Sequence, residues 1–197
     1  MTTTRILGAA GLALALLAGG TALATGNQAQ TGDMDNAQLR DWLGKLHAGN
    51  QHEIQGARLA SQKSTDPQVK QLAQHMLSEH TQMDQQVLAL AKQRGIDLSS
   101  KPAASWADAK QQAAMEKLKA ESGADFDRGY AEMMVSDHQD DVKDVTRMRD
   151  QAPDRDPTVK KLLADTKDRM QHHLDMAFST RSALNEQQSP TRQGRRP

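Results

Sequence analysis

The sequence predicts an all-α protein, a four-helix bundle assembled from two helical hairpins. Three observations carry this expectation. Apolar residues recur at three- and four-residue spacing along four long segments, as one face of an α-helix requires. Aromatic residues make up only 3% of the chain, so a core must be packed from Ala, Leu, Val and Met, which suits helix-on-helix contact better than sheets. Finally, the pattern Asp-Pro-x-Val-Lys-x-Leu occurs at residues 66–72 and again at 156–162. Each copy reads as a helix start, with Asp as the N-cap and Pro in the first turn.

Taken in order, residues 1–24 read as an export leader. Arg5 precedes the apolar run Ile6 to Ala18, and Ala22-Leu23-Ala24 supplies a small-x-small cleavage site. Cleavage is expected after Ala24, with residues 25–35 as a polar linker and the protein soluble in a bacterial periplasm or outside the cell. No membrane attachment is expected once the leader is removed. The bundle domain is expected over 36–184. Its first helix spans about Asn36 to Gln62, capped by Asp35 with Gln38 three residues on. Leu39, Trp42, Leu43, Leu46, Asn50, Glu53, Ile54, Ala57 and Ala60 form its inner stripe. The second helix runs from Pro67 to about Arg94, with Gly95 as its stop. Residues 95–124 are a long connection holding Pro102 and a short helix from about Asp108 to Glu121, broken by Ser122-Gly123. The third long helix covers Phe126 to Ala152 and the fourth Pro157 to about Leu184. A polar tail, 185–197, is expected to be disordered. Helices of this length make a bundle roughly 40 Å long, which a connection of this size can cross, as in ferritin-like bundles.

Charge and composition remove several functions. The chain has 25 basic and 25 acidic residues, so it lacks the basic footprint of a nucleic-acid binder. It has no Cys, which excludes disulfides, thiolate metal sites and thiol nucleophiles. No nucleophile arrangement is recognisable, and an enzyme is not expected.

The informative feature is polarity inside the apolar stripes. Glu53 lies thirteen residues before Asp66 and His80 fourteen after it; His138 lies eighteen before Asp156 and His173 seventeen after it. Partners within a hairpin are therefore level, and the two pairs differ in height by about 6 Å. Asp137 flanks His138, and Asp141 follows it by three residues, on the same side of the helix. Glu53, His80, Asp137, His138, Asp141 and His173 are thus the expected metal ligands for one transition ion, Zn, Cu or Fe. Di-iron bundles use Glu-x-x-His, but Leu77, Val135 and Met170 stand three residues before the inner histidines. The competing reading is a buried Glu/Asp–His hydrogen-bond network that only fixes helix packing, in a structural, envelope-stress or interaction protein. His47, His52, His75 and His172 are expected to face solvent.

The runs HEIQGARLASQK, VKQLAQHMLSEH, FDRGYAEMMVSDHQDDV and VKKLLADTKDRMQHHLDMA resemble the exported bacterial "domain of unknown function 4142" family over about residues 36–180. The resemblance implies a ferritin-like fold and matches Glu53, His80, Asp137, His138 and His173 to that family's polar positions. It brings no activity with it. The chain departs from the family at Glu79, where Asp is usual, and at Lys167-Asp168, where Leu-Pro is common. Met133-Met134 before His138 is also similar to small exported bundles implicated in copper handling, although Met at this spacing is ordinarily core filler.

Overall fold

The computed structural model describes residues 34–99 and 109–188. The expected leader, most of the linker, part of the connection and the last nine residues lie outside that range. Five α-helices are present and no strand occurs among the described residues: α1 Asn36–Lys63, α2 Pro67–Gln93, α3 Ala109–Ala120, α4 Gly123–Gln151 and α5 Pro157–Gln188.

The helix ends follow from local chemistry. Asp35 Oδ1 accepts the Ala37 N–H at 3.2 Å, and Asp66 Oδ1 accepts those of Gln68 and Val69 at 2.8 and 3.1 Å. After α2, Gly95 takes φ +65°, which lets the Ile96 N–H reach the Ala91 carbonyl at 2.8 Å and the Gly95 N–H reach that of Lys92 at 3.1 Å. These are the two bonds of a Schellman stop, and the buried Ile96 seals it. Two boundaries differ from expectation. Gly123 takes φ +57° after an extended Ser122, so α4 starts three residues before Phe126. α5 continues four residues past Leu184, because that side chain is buried and no breaker occurs before Pro190.

Two apolar clusters reveal the topology. One gathers the end of α1, the start of α2 (Ala60, Leu72, Met76), the start of α4 (Phe126, Tyr130, Met134) and the end of α5 (Ala177, Leu184). The other gathers the start of α1 (Leu39, Leu43), the end of α2 (Val87, Leu90), the end of α4 (Val145, Met148) and the start of α5 (Val159, Leu163). The two Asp-Pro turns therefore sit at opposite ends, and the chain between α2 and α4 passes from one end to the other. α1 packs chiefly on α2 and α4 on α5; the hairpins meet along a seam where α2 faces α5 and α1 faces α4. α3 lies against α1 and α4 through Met115 and Leu118. Lys63 Nζ, at the end of α1, donates to the carbonyls of Lys119 (2.9 Å) and Glu121, closing the open end of α3. No helix among the described residues is long and apolar enough to cross a membrane.

Candidate metal centre

The seam is where the buried polarity collects, and it collects in two groups. The first comprises one imidazole from each of three helices: His80 on α2, His138 on α4 and His173 on α5, all buried. His138 Nδ1–H donates to the Met134 carbonyl one turn back at 2.9 Å, so its Nε2 carries the lone pair. That lone pair faces His80 Nε2 at 3.3 Å and His173 Nδ1 at 3.2 Å. His80 Nδ1 lies 3.0 Å from Asn50 Oδ1 on α1, which orients the ring as a donor to the amide oxygen. In that orientation its Nε2 also presents a lone pair toward His138, and two lone pairs cannot hydrogen-bond to each other. One ligand nitrogen from each ring lies within 4.8 Å of the others.

Burial holds all three rings in the neutral form. It pushes His138 down to about 4 against the opposing effects of the Met134 bond and Asp137. Burial, then neighbouring imidazoles and Arg169, push His173 down to about 3. Burial and the surrounding histidines likewise lower His80 well below the ordinary range. Neutral imidazole is the form that binds a metal.

The second group lies where α1 meets α4. Adjacent residues on a helix point about 100° apart, so α4 sends His138 toward α2 and α5 while Asp137 turns to α1. There Asp137 Oδ2 lies 3.2 Å from His52 Nε2, both side chains buried, and Glu53 stands beside them. Glu53 is fully buried, and neither carboxylate oxygen has a hydrogen-bond partner among the described residues. Burial first, then the carboxylates of Asp137 and Asp141, raise its pKa well above the ordinary range. Burial and Glu53 raise Tyr130, whose hydroxyl is also buried and unpartnered among the described residues.

The six residues expected to share one site are thus divided. His80, His138 and His173 converge. Glu53 and Asp137 converge separately with a residue the periodicity misplaced, His52. Asp141 joins neither group; it is half-buried one turn beyond Asp137, where burial, then Asp137, Asp144 and Asp140, push it up to about 8.

Three of the four histidines expected in solvent are engaged. His52 is buried because α1 has a second contact face, Gly44, Ala48, His52 and Gly56 at four-residue spacing, against α4. A Cβ at Gly56 would come within 2.9 Å of Met133 Cε, a measure of how closely the helices approach. The small residues around His52 were the available signal. His47 Nδ1 lies 2.6 Å from Asp84 Oδ1, whose other oxygen accepts from Gln51 Nε2 at 2.7 Å. His75 is half-buried, its ring edge-on to His173 and to His172 at 5.5 and 5.6 Å between centroids. His172 is exposed, as expected.

No curated protein and no solved structure matches the chain. The family model described as "Domain of unknown function (DUF4142)" matches residues 23–180, and the chain belongs to that family.

Proposed function

We propose that this is an exported, ferritin-like bundle protein that binds one first-row transition ion through His80, His138 and His173. The observation that carries the reading is the position of His138 Nε2: one lone pair facing two further imidazole nitrogens at 3.3 and 3.2 Å. An ion bound tetrahedrally by imidazoles at 2.0–2.1 Å holds neighbouring nitrogens about 3.3 Å apart. Proton sharing fits less well. Turning the Asn50 amide over would let His80 donate to His138, but His173 Nδ1 would then face a lone pair already taken, whichever tautomer it adopts. Three neutral imidazoles favour Zn, Cu, Ni or Fe over Mg or Ca. Asn50 and the Met134 carbonyl take the roles of outer groups that orient ligand rings.

The test is a titration of demetallated mature protein with Zn²⁺, Cu²⁺ and Fe²⁺, followed by melting temperature and histidine NMR. One ion should shift the His80, His138 and His173 ring signals together and raise the melting temperature. At a thousandfold excess over Kd the gain is about 4 kcal/mol. His138→Ala should abolish it. Ring signals unmoved by any of the three metals would leave the packing network as the role of these residues.

A further inference from the structure

The proposed imidazole site leaves the α1–α4 group unused. A ring nitrogen of His52, a Glu53 carboxylate oxygen and an Asp137 carboxylate oxygen lie within 4.8 Å of one another, and all three side chains are buried. Glu53 is the independent pointer to a ligand, since a fully buried carboxylate with both oxygens unpartnered among the described residues is a costly arrangement for packing alone. One member of the group also borders a cleft of about 190 Å³, lined by Asp137, Asp140, Asp141 and Asp144 of α4 together with Lys45 and Lys110. Asp140 is paired with Lys110 and Lys143, and Asp144 with Arg147, at the outer side. Asp141 has no ion-pair partner among the described residues. The carboxyls without an ion-pair partner thus sit at the inner side, next to Asp137.

We propose that His52, Glu53 and Asp137 form a second cation site, reached through this acidic cleft, for a divalent ion harder than the one three imidazoles select. One nitrogen and two carboxylates make a mixed donor set that suits Mn²⁺ or Fe²⁺. The two carboxyl groups come from facing helices, so a bound cation would join α1 to α4 and give the oxygens of Glu53 the partner they lack. This site shares no ligand with the imidazole site, and either stands without the other.

Mn²⁺ is the probe, because its free form is counted directly by EPR. Demetallated mature protein should bind one Mn²⁺. Glu53→Gln and Asp137→Asn, both near-isosteric, should each weaken binding at least tenfold, while His173→Ala leaves it unchanged. Circular dichroism and ion-free melting of each variant establish that the bundle is retained, and two carboxylate variants guard against one failing to fold. Mn²⁺ that does not bind, binds Glu53→Gln as tightly as wild type, or is lost only with His173→Ala would overturn the proposal. The last result would place the ion among the imidazoles and leave that reading intact.

Discussion

The two Asp-Pro turns share five of seven residues but occupy different surroundings. Asp66 is half-buried and caps α2 through two backbone N–H groups. Asp156 is 1% exposed; its Oδ1 accepts only the Val159 N–H of α5, at 3.2 Å, and takes Arg94 Nη2 at 2.7 Å. The reason is topological. Arg94 ends α2 at the end of the bundle where the second turn lies, so the departing chain covers Asp156. A repeated motif therefore specifies how a helix starts, whereas the path of the chain decides what that start costs to disturb.

The largest effect should come from Asp156→Ala, which removes a cap and one ion-pair contact of Arg94 together. The expected loss is about 2 kcal/mol by denaturant unfolding. Arg94→Met should cost less in that background than in the wild type, and a strictly additive double mutant would show that the ion pair is not coupled.

Acid should expose the same asymmetry. Burial raises the Asp156 pKa, but Arg94 and backbone N–H groups outweigh it and hold the carboxyl below its ordinary 3.8. A depressed folded-state pKa contributes stability that is present above the unfolded value and lost as pH falls through the folded one. The stability gap between wild type and Asp156→Asn should thus narrow on acidification below about pH 4. A gap constant from pH 7 to pH 2 would contradict the pairing.

The smallest effect belongs to Asp66→Ala, an ordinary lost cap worth about 1 kcal/mol. A loss as large as that of Asp156→Ala would erase the distinction between the turns.

Much of this was readable in the sequence. The inner stripe of α1 is buried as the 3.6-residue period requires, Asn50 and Glu53 included, His80 is buried on α2, and both turns lie where the repeat puts them. His138 and His173 point inward on the same grounds. What the period does not carry is direction around the bundle axis. Counting residues from each turn places Glu53 and His80 at equal height, but Glu53 faces α4 while His80 faces α4 and α5 from the other side, so one expected site became two groups. His52 departs from expectation because a helix with two neighbours has two buried faces, and a single stripe describes one. His47 departs from it because Asp84 of the neighbouring helix lies within its reach.

The seam has a consequence for how the chain assembles. Within each hairpin the helices adjoin in sequence. Across the seam, His80 and His138 are 58 residues apart, Arg94 and Asp156 are 62, and His52 and Asp137 are 85. Contacts between near neighbours close cheaply and form early; distant ones must await most of the chain-ordering entropy. The hairpins should thus be structured at the folding transition state and the seam formed after it. Interactions absent from the transition state act on the unfolding rate alone. Any stabilisation gained at the seam should accordingly lengthen the lifetime of the folded protein and leave its folding rate unchanged.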